Sequence, residues 1–336
     1  MERVCVTGAG GYIASWVIKL LLSKGYIVHG TVRDPGNEEK NGHLKKLENA
    51  GERLHLFKAD LFDYEGLCAA FARCHGVLHI ASPVPGILKL DDPQKEMLDP
   101  AILGTRNVLN ACVDAKVKKV VVVSSMVSAM LNPKWPSDLE MDESCWADVE
   151  YCKTSERWYA LSKTLAEREA LEYGKKVGLN VVTICPSGTI GPMLQPTLNS
   201  SSLLILSYIK DLEGRSADET KKTDDVERAV VDVRDLANAI FLLYEKQESE
   251  GRYICSSYTI MTREFVAKVQ SMFPNYDYPK NFSEPNKTER VIFNTQKLVN
   301  LGWSYRPLEE TITDSIKNYD EAGILDKDGI PLNIKF

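Results

Sequence analysis

The feature that most constrains this 336-residue chain is a rhythm: short apolar runs rich in Val and Ile alternate with stretches of helical periodicity through its first half. "RVCVTG" precedes a helical stretch at Tyr12–Ser23, "YIVHGTV" precedes 38–48, "LHLFKAD" precedes 64–73, and "GVLHIAS" precedes 94–115. "KKVVVVSS", a helix over 159–177 and "LNVVTIC" complete the series. Strands this uniformly apolar must be covered on both faces, which parallel pairing through right-handed helical crossovers achieves. The pattern predicts an α/β fold built on a doubly wound parallel sheet.

After Pro186 the alternation stops, and the chain passes through "PSGTIGPMLQPTLNSSS" into a polar run, "EGRSADETKKTDDVER", which reads as a solvated loop or lid. A strand and helix resume in "AVVDVRDLANAIFLLYEK", then come a short strand "GRYICSS" and helices in "MTREFVAKVQSMF" and "PLEETITDSIKNYDEAG". This predicts a cofactor domain over 1–186 and 226–247, with a smaller α/β substrate lobe from 187–225 and 248–336 woven into it. Monomer and homodimer are equally open.

A formal net charge of −6 offers no basic field to nucleic acid or an anionic membrane. The apolar run 117–123 is interrupted by Lys118 and Lys119 and falls far short of the ~20 residues of a spanning helix. "MERVCVTGAGG" lacks the order of a secretory leader, so the expected location is cytoplasmic. Eight scattered cysteines suit reduced thiols, and Cys145 and Cys152, which bracket "WADVEY", are expected to be unpaired rather than a redox-sensitive disulfide. Cys68, Cys74, His75 and His79 cluster in sequence, but without a CxxC pair or two His on one helical face they read as packing residues, and no metal is expected.

Between the first strand and first helix stands "TGAGGYIA". Gly8, Gly10 and Gly11 permit a tight turn that lets backbone approach a pyrophosphate. The helix start at Tyr12 and Ile13 adds its partial positive charge, as in the Rossmann dinucleotide fold. The second strand ends in "GTVRDP", where Arg33 precedes the acid usual for binding ribose hydroxyls. A guanidinium takes a 2′-phosphate bidentately and favours NADP (NADPH), whereas Asp34 could instead hold the ribose. Lys40 is either a second cation or an ordinary exposed lysine. Asp60 and Leu61 end the third strand beside the expected adenine position. Ala81, Ser82 and Pro83 end the fourth, and Pro186 and Ser187 end the sixth, beside the cofactor's expected path.

"WYALSK" separates Tyr159 from Lys163 by one helical turn, so both leave the same helix face. Such a pair is common by chance. Its context is Ser125, at the carboxyl edge of the Val-rich fifth strand, where doubly wound sheets bind ligands. Together they form a proton-delivery group: Tyr159 donates to a carbonyl oxygen as hydride reaches its carbon, Lys163 favours the phenolate and holds the nicotinamide ribose, and Ser125 orients the oxygen.

With these motifs in place the chain resembles the extended short-chain dehydrogenase/reductases, and more narrowly the plant branch of dihydroflavonol reductases, cinnamoyl-CoA reductases and related aldehyde reductases. "VTGAGGYIASW", "GTVRDP", "DESCWAD", "WYALSKTLAE", "LQPTLNSSS" and "VDVRDLANAI" carry the resemblance over nearly the whole chain. It implies a metal-free, NADPH-dependent carbonyl reductase using Ser125, Tyr159 and Lys163.

The resemblance also bears on substrate. Dihydroflavonol reductases typically place an asparagine shortly after the serine, where this chain reads "MVSAML", beginning at Met126. Cinnamoyl-CoA reductases usually offer a histidine and a lysine to the thioester from the helix after "QPTLN", where Leu204 and Ser207 stand here. The expectation is reversible reduction of a free aryl or phenylpropenyl aldehyde to its alcohol. Cinnamoyl-CoA or dihydroflavonol reduction is the near alternative. A nucleotide-sugar epimerase or dehydratase, recognisable by tightly retained NAD, and a non-catalytic cofactor sensor, which has no need of the Tyr–Lys pair, are the distant ones.

Overall fold

The computed structural model describes residues 2–82, 90–136, 138–209, 222–285 and 292–325. The elements run β1 (Arg3–Val6), α1 (Tyr12–Ser23), β2 (Ile27–Val32), α2 (Glu38–Lys45), α3 (Ala50–Arg53), β3 (Leu54–Lys58), α4 (Tyr64–Phe71) and β4 (Gly76–His79). A π-helical turn at Gln94–Leu98 leads into α5 (Asp99–Asp114), followed by β5 (Lys119–Val123), α6 (Val127–Met130), α7 (Val149–Thr154), α8 (Trp158–Val177), β6 (Asn180–Pro186) and β7 (Gly188–Ile190). The remainder is α9 (Ser200–Ile209), β8 (Glu227–Asp232), α10 (Val233–Glu245), β9 (Gly251–Cys255), β10 (Tyr258–Met261), α11 (Thr262–Met272), α12 (Gln296–Asn300) and α13 (Leu308–Glu321).

The large sheet is parallel throughout, in the order β3-β2-β1-β4-β5-β6-β9. Its strands are apolar because alternate residues feed opposite cores. Val121 and Val123 of β5 join the cluster formed with Val17, Ile18 and Leu21 of α1 and Leu236, Ile240 and Leu243 of α10. Val120 and Val122 face Leu67 and Phe71 of α4 and Val108 and Leu109 of α5. Each such fully buried side chain contributes about 1.5–3 kcal/mol by leaving water. Strand order reverses between β1 and β4, which opens a crevice at the carboxyl edge, where this architecture takes its ligands.

A small sheet, β10-β8-β7, supports the second lobe. That lobe's core joins Ile205 and Leu206 of α9, Phe265 and Val269 of α11, and Ile312, Ile316 and Tyr319 of α13.

Two strand assignments differ from the sequence reading. "GRYIC", expected in the substrate lobe, is β9 and pairs with β6 at the edge of the large sheet. β8, expected in the cofactor domain, belongs to the small sheet. The chain uses α10 to cross from one sheet to the other, and period-2 patterning cannot say which sheet a short buried strand joins. Part of the polar run expected to be solvated lies outside the described residues. The part that is described is anchored: Thr223 and Asp225 are buried, Thr223 N donates to Asn281 O, and Asp225 pairs with Arg263. Among the described residues no helix is long and apolar enough to cross a membrane.

Candidate active site

At the crevice, Thr7 is wholly buried and joins the ends of β1 and β4: its Oγ1 accepts from Ile80 N and Ala81 N, both at 3.0 Å. Gly8 follows with φ +67°, a left-handed conformation that L side chains resist, and a Cβ there would meet Ala81 Cβ at 3.1 Å. A Cβ on Gly10 would lie 2.9 Å from Asn41 Oδ1. Gly11 precedes α1 and no side chain caps that helix, so its first backbone N–H groups, including those of Tyr12 and Ile13, are left to an anion. A close-approach turn ahead of an uncapped helix fits a pyrophosphate.

The other predicted cofactor residues fall around this turn. Arg33 and Lys40 are exposed beside it, at the end of β2 and on α2. Asp34 is engaged locally: its Oδ1 accepts from Gly36 N at 3.0 Å and its carbonyl accepts from Asn41 Nδ2 at 2.7 Å. Asn41, buried against the glycine turn, was missed by sequence reasoning. Asp60 Oδ1 accepts from Phe62 N and Asp63 N, and Leu61 packs against Gly104 of α5. Pro186 O accepts from Met126 N at 2.9 Å, tying the residue that leads into α6 to the end of β6. Ser187 is 5% exposed, and its hydroxyl has no partner among the described residues. The Tyr12 hydroxyl donates to Gly191 O at 2.8 Å.

The structure brings Ser125, Tyr159 and Lys163 together at this edge. α8 is rich in Ala, Leu, Lys and Glu, which favours a long helix, and Gly178 ends it in the left-handed conformation. Burial raises the pKa of the Tyr159 hydroxyl, and the nearby Ser125 hydroxyl opposes the rise. Lys163 is buried, donates from Nζ to Val123 O at 3.2 Å, and is lowered to about 8 by burial, against the opposing charge of Glu167. Tyr159 therefore holds its proton at neutral pH.

Behind these residues lie His79, which the sequence reading placed among the packing residues, and Glu167, which it missed. His79 stands between Thr7 Oγ1 at 3.0 Å and Thr105 Oγ1 at 3.5 Å, and burial, then Lys163, lower its pKa to about 3, leaving it a neutral hydrogen-bonding ring. Glu167 is one turn beyond Lys163 on α8 and bonds Ser124, Ser128, Thr183 and Arg252. Nothing in the sequence singles out Glu167, because the partners that engage it are distant along the chain. All eight cysteines carry free thiols, and Cys145 donates to Ala129 O at 3.2 Å. Of the predicted substrate residues, Pro83 lies outside the described residues. Met126 is half-buried beside Ser125, and Leu204 and Ser207 are half-buried on α9.

A dinucleotide turn and a Ser-Tyr-Lys group on one edge of a doubly wound sheet define an NAD(P)-dependent oxidoreductase. The chain belongs to the NAD dependent epimerase/dehydratase family, whose model matches residues 4–255, and within it to the extended short-chain dehydrogenase/reductases. It is 42% identical to cinnamoyl-CoA reductase 1 of Petunia hybrida over 326 residues, which cover 96% of this chain and 94% of that protein. Among solved structures, vestitone reductase from alfalfa superposes with a TM-score of 0.80 at 30% identity, over 96% of this chain and 99% of the other. Gre2 from Candida albicans, solved in complex with NADPH, gives 0.81 at 27% identity, again over 96% and 99%.

Proposed function

We propose that the protein reduces free aryl or phenylpropenyl aldehydes of the cinnamaldehyde type to alcohols with NADPH, reversibly with NADP+. The cofactor is NADP(H): Arg33 and Lys40 supply cations beside the turn, while Asp34, the competing ribose ligand, has its carboxylate engaged by Gly36. NADPH binding to Candida Gre2 agrees. In this reading the glycine turn and the amides of Tyr12 and Ile13 hold the pyrophosphate, Asp60 and Leu61 flank the adenine, and Ala81, Ser82, Pro186 and Ser187 line the path to the nicotinamide. The lobe carrying α9 binds the carbonyl compound, and the free thiols suit a cytosolic location.

The bound nicotinamide supplies a hydride. The protein's residues supply the rest: Ser125 orients the carbonyl oxygen, Tyr159 gives it a proton, and Lys163 stabilises the phenolate left behind.

One observation carries the choice of a free aldehyde. Leu204 has no polar group, and the Ser207 hydroxyl donates to Leu204 O at 2.8 Å, within its own helix. Neither offers a cation to the phosphates of CoA or a ready donor to a thioester. Thioester reduction is the second reading, favoured by the 42% identity to the Petunia enzyme. Steady-state kinetics with cinnamaldehyde and cinnamoyl-CoA decide between them. The expected result is kcat/KM at least about tenfold higher for the aldehyde, a difference of ~1.4 kcal/mol, with the gap narrowed by Leu204→His combined with Ser207→Lys. Preference for the thioester would overturn the aldehyde reading.

A further inference from the structure

The mechanism above makes no use of the most deeply buried charge pair in the site. Glu167 is 1% exposed and Arg252 4%, joined from Arg252 Nε to Glu167 Oε1 at 2.8 Å. The carboxylate also accepts from Ser124 Oγ at 2.7 Å, Ser128 Oγ at 2.6 Å and Thr183 Oγ1 at 2.7 Å. Arg252 Nη2 donates to Ser128 Oγ at 2.8 Å, Nη1 donates to Cys145 O, and the guanidinium lies over Trp146, 3.8 Å from the ring centre. Burial pushes the carboxyl upward, but Arg252 and the serine hydroxyls outweigh it, so Glu167 is an anion.

Such pairs rarely stabilise a fold more than well-packed apolar residues would, so stability alone does not explain this one. Its bonds converge on Ser124 and Ser128, which bracket Ser125. Ser128 N also donates to Ser125 O at 3.0 Å, closing the turn on the serine's own backbone. The carboxylate sits on α8, the helix that carries Tyr159 and Lys163, whereas Ser125 lies on the turn between β5 and α6. Tyr159 and Ser125 can share a carbonyl oxygen only if that turn and that helix keep a fixed separation, and Glu167 spans the gap.

We propose that Glu167, held by Arg252, is a positioning residue: it clamps the 124–128 turn to α8 and so fixes Ser125 against Tyr159. This rests on the catalytic role given to Ser125 above. Ser128→Ala cuts one arm of the clamp with a minimal change of volume, and Glu167→Gln removes the charge at its centre.

The test uses the NADPH-bound enzyme with cinnamaldehyde. Ser128→Ala is expected to lower kcat about tenfold with KM for NADPH unchanged within about twofold, and to cost less than about twofold in a Ser125→Ala background, because the two act through one group. Equal losses in both backgrounds, or a loss under about twofold in the native background, would overturn the proposal. Hydrogen exchange needs no substrate: peptides covering 124–130 should exchange at least about fivefold faster in Glu167→Gln while those covering the glycine turn do not change. Unchanged exchange at 124–130 would overturn it equally. If Glu167→Gln does not fold, Ser128→Ala takes its place in the exchange measurement. Native enzyme idle on cinnamaldehyde would sink the substrate reading, and exchange would still decide this one.

Discussion

Lys163 bears an energetic cost that its chemistry explains. Its pKa falls from 10.5 to about 8 because burial penalises the ammonium. The unfolded chain therefore holds more protons than the folded one between about pH 8 and 10.5, and stability from this group rises with pH across that window. Below pH 8 the full cost applies, roughly 3 kcal/mol. Lys163→Met should raise the denaturant midpoint of the cofactor-free protein at pH 7 while abolishing turnover, and the gain should shrink between pH 8 and 9.5. An unchanged or lowered midpoint at pH 7 would refute the assignment. Tyr159→Phe keeps the ring and loses only the proton donor, so turnover should fall about 10²-fold or more with NADPH affinity nearly intact. Titrating cofactor fluorescence and measuring kcat on one preparation checks both. The Tyr–Lys pair was legible in the sequence because one helix carries it. Glu167, on the same stripe, was not, because its meaning comes from Arg252, 85 residues away.

At the scale of elements, the glycine turn shows why a motif can be read before its surroundings. Backbone approach requires small residues wherever the chain goes next, so Gly8, Gly10 and Gly11 declare themselves. Nothing local says that α2 folds over Gly10 through Asn41, whose amide is tied to Asp34 O at 2.7 Å. In Gly10→Ala the new Cβ would stand 2.9 Å from Asn41 Oδ1, so the Asn41 amide has to shift and its bond to Asp34 O is disturbed. NADPH should bind about tenfold or more weakly, by isothermal titration, in a protein that remains folded by circular dichroism. Arg33→Ala should remove about 1.5–3 kcal/mol from NADPH binding and little from NADH, since only the first offers a dianionic phosphate. Equal losses for both cofactors would return Asp34 to the role of ribose ligand. The exchanged positions of β8 and β9 have a related cause: the Val-rich strands announce a sheet, but membership of a short edge strand is settled by what its side chains reach, here Arg252 beneath Glu167.

At the scale of the molecule, the two lobes meet along α1, and Tyr12 serves both. Its backbone opens the helix at the glycine turn, while its ring joins the second lobe's core and its hydroxyl donates to Gly191 O at 2.8 Å. One turn on, Trp16 Nε1 donates to Pro192 O at 2.8 Å. From the other side Asn318 of α13 accepts from Met193 N at 2.7 Å and donates to Met193 O at 3.1 Å. The segment leaving β7 is thus pinned between α1 and α13 before it runs on to α9, which carries Leu204 and Ser207. Tyr12→Phe removes one of these pins and leaves Gly191 O, buried with its donor, unpaired at a cost of about 1–2 kcal/mol. Because the Tyr12 amide is untouched, NADPH affinity should stay within about twofold, whereas KM for the carbonyl substrate should rise several-fold as α9 loses its fixed distance from the nicotinamide edge. Measuring both constants separates the two roles. A variant that loses NADPH affinity while keeping its carbonyl KM would put the Tyr12 side chain on the cofactor after all. It would also place the joint between the lobes elsewhere, at the Arg234–Asp314 pair of α10 and α13.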